Sequence, residues 1–282
     1  MTRLVADIGG TNTRLALAEG GTVIAETQRR FANDDFPEFA AVVAAYVRDT
    51  APGPLAEIVA ALAGPTTPRA GRLTNRDWVL DADALAARFG AGRALLFNDL
   101  TALGQAVPTL AAEGVLTVHD GPVPAGADQA LVAGIGTGFN VCHVLLRPSG
   151  THCTRAEFGH VTLPSSVADL LRARFGDTAG FTTVEDCFSG RGHAELAERG
   201  TDGVFFAGLV GAVARDLRMA FVPDAGLYLA GSVARAVLEG DGVAAFRAEY
   251  TAATQVDLPP PPVRIIRDDM AALRGCARVV LG

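Results

Sequence analysis

The chain has 282 residues, 49% hydrophobic and 20% charged, with a net charge of −7; this is a globular composition, long enough for two moderate α/β lobes that bury roughly three quarters of the unfolded surface. Its 24 basic residues are scattered and all are arginine, which leaves no footprint for nucleic acid and excludes a Walker lysine, a Schiff-base lysine and a lysine general base. Cys142, Cys153, Cys187 and Cys276 stand far apart with no C-x-x-C pair, so they read as reduced thiols with no disulfide frame or structural zinc.

Arg3 precedes only three apolar residues before Asp7, too few for a signal peptide, and a cytoplasmic protein is expected. The run continues Asp7-Ile8-Gly9-Gly10-Thr11-Asn12-Thr13-Arg14 and then turns apolar again, predicting strand, glycine turn, strand. Residues 22–27 predict a third strand. Pro37 opens a helix to about residue 48, with Phe39, Val42, Val43 and Tyr46 on its apolar stripe. Residues 57–63 are a continuous apolar strand. Residues 66–80, which hold Thr74-Asn75-Arg76-Asp77-Trp78, read as a polar loop. Asp81 or Asp83 caps a helix that stops at Gly90, and 93–97 form a buried strand closed by Asn98-Asp99.

The second half opens with a helix at 101–107 and a strand at 115–118, then a Gly/Pro-rich loop at 121–126. The glycine grammar returns in Gly134-Ile135-Gly136-Thr137-Gly138-Phe139-Asn140-Val141. A dinucleotide fingerprint fails here, because Phe139 takes its third position and the following residues alternate like a strand. The longest uncharged stretch, 129–146, carries four polar residues and three glycines, so no membrane span is expected. Helices follow at 166–175 and within 183–198, the latter broken by Ser189-Gly190-Arg191-Gly192. A helix at 205–221 is apolar nearly all round and therefore buried. A strand at 227–230 meets Gly231-Ser232 and a short helix to Leu238. The prolines at 259–262 lead to a strand at 263–267 and a last helix at 270–281. Hairpins followed by β/α alternation, occurring twice, predict a duplicated two-lobed α/β protein with a nucleotide between the halves.

Backbone N–H groups at glycine tips, with hydroxyls such as those of Thr11 and Thr13, suit a phosphate. Asp7 can hold Mg²⁺ through its water shell, since that ion prefers one or two carboxylates plus phosphate oxygens. Asp99, at a strand end, can accept the proton of an attacking hydroxyl, with Asn98 orienting the same acceptor; capping the next helix is the plainer use of that aspartate. Glu157 and His160, separated by Phe158-Gly159, suit vicinal sugar hydroxyls that both donate and accept, or are ordinary surface groups. Glu185 is a further carboxylate, or one on a solvated helix face. Gly231-Ser232 can lie against a flat base.

In combination and order these segments resemble bacterial glucokinases of the hexokinase–actin–Hsp70 ATPase superfamily, nearly end to end. Asp7-Ile8-Gly9-Gly10-Thr11-Asn12 is similar to the first phosphate motif, Gly134-Ile135-Gly136-Thr137-Gly138 to the second, and Leu229-Ala230-Gly231-Ser232 to the adenosine motif. Leu96-Phe97-Asn98-Asp99-Leu100-Thr101-Ala102 resembles the segment bearing the catalytic aspartate, and Thr74-Asn75-Arg76-Asp77-Trp78 a loop near the sugar. The resemblance implies a duplicated actin-like (ribonuclease H-like) fold, with lobes at 1–98 plus 267–282 and at 99–266. It implies ATP and Mg²⁺ as cofactors, Asp99 as the base for the 6-hydroxyl of D-glucose, and Asn75, Asn98, Glu157, His160 and Glu185 as sugar ligands. A homodimer without nucleic-acid or membrane partners is expected. Asn140 and Phe158 depart from the family pattern, each standing where glycine is common, as does Ser232 in place of a second glycine, and residues 198–203 form a short link where longer relatives carry an extra helical excursion. Another hexose or an amino sugar as substrate, or a sugar sensor without turnover, are the alternatives.

Overall fold

The computed structural model describes residues 1–279, and the chain divides into two compact units, Met1–Thr109 joined by the chain from Asp269 onward, and Leu110–Asp268. The first opens with β1 (Arg3–Ile8), β2 (Asn12–Glu19) and β3 (Thr22–Ala32), followed by α1 (Phe39–Thr50) and β4 (Glu57–Leu62). A small hairpin, β5 (Ala70–Arg72) with β6 (Val79–Asp81), precedes α2 (Ala82–Phe89), β7 (Arg93–Asn98) and α3 (Asp99–Ala106). Among the described residues its main sheet has the order β3-β2-β1-β4-β7, with β1, β4 and β7 parallel and the first three strands antiparallel.

Both faces of this sheet are covered, which is why β1 and β4 read as unbroken apolar runs. Leu4, Ala6, Ile8, Ile58, Ala60 and Leu62 pack with Phe39, Val42, Val43 and Tyr46 of α1 and with Trp78. The alternate residues Val5, Ala16, Ala18, Val59 and Ala61 pack with Ala102 of α3 on the other face. Asp81 is the cap of α2, accepting from Ala84 N–H at 2.8 Å, and Gly90 ends that helix with φ +63°.

The second unit carries β8 (Val115–His119), β9 (Gln129–Ile135), β10 (Phe139–Arg147) and β11 (Gly150–Thr154). Helices α4 (Ser165–Phe175), α5 (Val184–Phe188), α6 (Gly190–Glu198) and α7 (Gly203–Phe221) follow, then β12 (Gly226–Ala230), α8 (Ser232–Leu238), α9 (Val243–Tyr250) and β13 (Val263–Ile266). Its sheet has the order β11-β10-β9-β12-β13-β8. The hairpin β9–β10 and the parallel strands β9, β12 and β13 repeat the plan of the first unit, as the doubled glycine grammar predicts. Helix α7 lies at the centre of the core, with Phe206, Leu209, Val210, Val213 and Leu217 buried.

The last helix, α10 (Ala271–Arg278), returns to the first unit, where Leu273, Cys276 and Ala277 join the Val5/Val59 face. A Cβ at Gly275 would lie 1.8 Å from Ala102 O, so α10 and α3 touch through backbone. Helix α3 thus belongs with the first unit, and the units part after Thr109. The expected continuation of the last helix to Leu281 lies outside the described residues.

Several local expectations need correction. The polar stretch 66–80 contains β5 and β6. The third strand runs on to Ala32 because it pairs along β2 as far as Asn12. Pro37 stands ahead of α1, whose cap is Glu38. Among the described residues no helix is long and apolar enough to cross a membrane.

Candidate active site

In the first unit the parallel register places the ends of β1, β4 and β7 on one edge, with Ile8 beside Leu62 and Leu62 beside Asn98. Open α/β sheets present ligand-binding groups at such strand ends. Asn98 caps α3, its Oδ1 accepting from Leu100 N–H at 3.0 Å. Asp99 is the first residue of that helix, and its own Oδ1 accepts from the same N–H at 2.8 Å. The structure therefore gives the cap to Asn98 and leaves Asp99 half-buried at the sheet edge. Burial raises its carboxyl pKa to about 6; the Leu100 N–H works the other way, and repulsion from Asp7 adds to the rise.

Asp7 lies opposite Arg14 in the β1–β2 register and accepts from its Nη1 at 3.3 Å. Burial nevertheless holds the Asp7 carboxyl above the ordinary range, with Arg14 opposing and Asp269 reinforcing the effect. The turn that follows is closed by Gly9 N–H donating to Asn12 O at 3.0 Å. Behind it stands Asn33, fully buried. Its Nδ2 donates to Gly9 O at 2.8 Å and to Gly10 O at 3.3 Å, while its Oδ1 accepts from the buried Thr13 hydroxyl at 2.8 Å. Its backbone N–H donates to Thr11 O at 2.9 Å, and Arg30 Nε donates to Asn12 Oδ1 at 3.1 Å. One buried amide thus ties down both glycine carbonyls of the tip. Asn75 is exposed beside this tip: a Cβ at Gly10 would lie 3.5 Å from its Nδ2.

In the second unit the β9–β10 tip is closed by Gly136 N–H donating to Gly138 O at 3.0 Å, and Gly190 N–H donates to Gly136 O at 2.7 Å. Thr137 is exposed at its apex, and Gly134 pairs with Asn140 and Ala230. The Gly231-Ser232 turn between β12 and α8 abuts this hairpin. Gly231 has φ +102°, and a Cβ there would stand 2.3 Å from Ile135 O, so only glycine fits. Gly231, Ser232, Arg235, Ala236, Glu239 and Gly240 line an open groove of about 600 Å³.

Glu157 and His160 bracket one 3₁₀ turn, with His160 N–H donating to Glu157 O at 3.1 Å; both are exposed. Glu185, on α5, turns its Oε2 to the Phe139 N–H at 3.1 Å, and a Cβ at Gly138 would stand 2.6 Å from that oxygen. Its carboxylate is therefore braced against the glycine hairpin, which corrects the solvated-face alternative. Gly159 brings the Glu157 turn against Glu185, since a Cβ there would meet Glu185 Cβ at 3.2 Å. Glu157, His160, Glu185 and the second glycine tip thus form one cluster in the second unit. Asp7, Gly9, Gly10, Thr11, Asn12, Asn75, Asn98 and Asp99 form another in the first.

Sequence reasoning left out Arg14 and Asn33, which hold Asp7 and the first tip, and singled out Asn140, which holds Glu157, only as a departure from the family pattern. A signal exists only for Arg14, which hairpin counting sets opposite Asp7 once the two-glycine turn is fixed.

The glucokinase family profile matches residues 4–202. The glucokinase of Cupriavidus pinatubonensis is 30% identical, over 99% of this chain and 92% of that protein. The glucokinase of Cupriavidus metallidurans is 28% identical, over 99% and 93%. Among solved structures, the glucokinase from an Antarctic psychrotroph superposes with a TM-score of 0.77 at 22% identity, over 98% of each chain; this last likeness bears on the fold alone.

Proposed function

This chain belongs to the glucokinase family, and from that premise we propose that it transfers the γ-phosphoryl group of ATP to the 6-hydroxyl of D-glucose, giving glucose 6-phosphate. Asp99 is the general base in this reading. The observation that carries it is a half-buried aspartate at the edge formed by three parallel strand ends, with a carboxyl pKa raised to about 6. Such a group is mostly ionised at pH 7, yet takes up a proton more readily than an ordinary aspartate. Asn98, Glu157, His160 and Glu185 would bind the other hydroxyls, with Asn75 beside them. The tips around Gly9-Gly10-Thr11-Asn12 and Gly134-Gly136-Thr137-Gly138 would cradle the phosphates, and the Gly231-Ser232 groove would take the adenosine.

Mg²⁺ fits the first cluster. Asp7 and Asp99 repel one another, Asp269 adds to the repulsion on Asp7, and both Asp7 and Asp99 are held above the ordinary aspartate range. A nearby divalent cation relieves that repulsion. Among the described residues no group of three or more His, Cys, Asp or Glu side chains is placed to hold a metal, but Mg²⁺ keeps several waters and needs only one or two carboxylates beside phosphate oxygens. Asp7 would hold it through water, and the bound ion would offset charge on the phosphates. Two copies of the chain would form a homodimer, which sedimentation tests.

The decisive experiment is glucose 6-phosphate formation, measured by coupled assay with ATP, ADP or polyphosphate and with glucose, mannose, fructose or glucosamine. The expected optimum is ATP with glucose. A higher kcat/KM on another sugar replaces the substrate, and glucose binding without product under any donor makes the protein a sensor.

A further inference from the structure

Asn140 stands where β10 leaves the second glycine tip, opposite Gly134. All four partners of its side chain belong to β10 or to the segment leading into the Glu157 turn. Its Oδ1 accepts from Val141 N–H at 2.8 Å and from Phe158 N–H at 3.0 Å. Its Nδ2 donates to Ala156 O at 2.7 Å and to Glu157 Oε2 at 3.2 Å. These partners fix the amide orientation: a flipped group would set NH₂ against two N–H donors and its oxygen against a carbonyl and a carboxylate. Next to this link the Phe158 ring packs on Phe139 and Phe221, with centroids 6.5 and 5.9 Å away. The amide therefore ties residues 156, 157 and 158 to β10, and the ring anchors the same segment from the side.

We infer that Asn140 is a positioning residue for the sugar-binding carboxylate of Glu157, with Phe158 as its packing counterpart. The inference rests on the glucokinase reading of Glu157 and goes beyond it. Glu157 is exposed, so a free side chain would lose rotamer freedom each time a sugar bound. Asn140 meets that cost beforehand by engaging one carboxylate oxygen, which leaves the other for a hydroxyl. A neutral amide does this without cancelling the negative charge, so the hydroxyl still meets a charged and therefore strong acceptor. A glycine at either position would supply neither an amide nor a ring, so the two side chains form one device.

The test is Asn140→Asp, assayed as full-length protein on glucose with ATP. The aspartate keeps an acceptor for Val141 and Phe158 N–H but sets a second carboxylate against Glu157. The expected result is a KM for glucose raised at least about tenfold, with kcat within about threefold and KM for ATP within about twofold. Asn140→Gly, which removes all four bonds without adding charge, raises the KM for glucose about three- to tenfold. Because the effect runs through Glu157, Asn140→Asp in a Glu157→Gln background costs no more than Glu157→Gln alone. Asn140→Asp with wild-type KM for glucose, or effects that multiply in the double variant, overturns the inference. Absence of glucose turnover by the wild type, measured in the same assay, would instead defeat the glucokinase reading itself.

Discussion

Asp99 binds a proton more tightly in the fold than in the open chain, and two consequences follow at the scale of single residues. A general base is worth about 10²–10⁴ in rate, so Asp99→Asn should lower kcat at least about a hundredfold while calorimetric glucose affinity stays near wild type. Wild-type kcat/KM should fall with unit slope as pH drops below about 6, the pKa of the Asp99 carboxyl. The stability effect has the opposite sense. A carboxyl raised from 3.8 to about 6 favours the folded state when protonated, and that contribution is lost as pH rises from 3.8 through 6. The difference is at most ~3 kcal/mol. Asp99→Asn should therefore raise Tm at pH 8, with a gain that shrinks by pH 4. Glu157 differs in kind, because losing a charged hydrogen bond costs about 1.5–3 kcal/mol. Glu157→Ala should weaken glucose binding by roughly ten- to more than a hundredfold with a smaller change in kcat; unchanged affinity by calorimetry would remove it from the sugar site. Asp99 stands out in the sequence because an acid directly after an apolar strand sits at the sheet edge. Its raised pKa does not, since that comes chiefly from burial in the folded chain, with a smaller push from Asp7, which lies far off along the sequence.

At the scale of elements, the glycine tips depend on what stands behind them. Asn33→Ala would leave the buried Thr13 hydroxyl without its acceptor and two glycine carbonyls without their donor. It should cost ~1–3 kcal/mol, seen as a lower urea midpoint, and should raise the KM for ATP more than that for glucose. A Cβ at Gly231 would press on Ile135 O, so Gly231→Ala should likewise raise the KM for ATP severalfold. Elements with a strong period or an end signal were legible: the two glycine hairpins, the α2 cap and stop, and the buried α7. Those made by their surroundings were not. The strands β5 and β6 have three residues each, too few to show alternation. The third strand is largely exposed, so its length is set by pairing with β2 and not by an apolar pattern. Helix α9 carries only two buried side chains, Phe246 and Tyr250, a stripe too thin to stand out. Asn33 follows β3 without any motif, and only the folded hairpin reveals what it holds.

At the scale of the whole molecule, duplication was legible because each half opens with the same glycine grammar. The partner of the last helix was not, since Ala272, Leu273, Cys276 and Ala277 reveal a buried face but not the sheet that buries it. That partner is the Val5/Val59 face of the first unit. A chain ended at Asp268 should leave this face with α3 as its remaining cover, and the first unit should fail to fold. Trp78, the only tryptophan, reports on it directly: it is buried in the first unit, so truncation should shift its emission to the red and open residues 1–109 to protease. Native-like emission from the truncated chain would show that α10 is dispensable. The same return has a bearing on biosynthesis. A ribosome adding about 5–20 residues per second takes roughly ten to thirty seconds to translate Leu110–Asp268, and throughout that time the nascent N-terminal sheet has only α3 on the face of Val5, Ala16 and Val59. Until the codons for α10 are read, that half of the polypeptide is a natural client for chaperones.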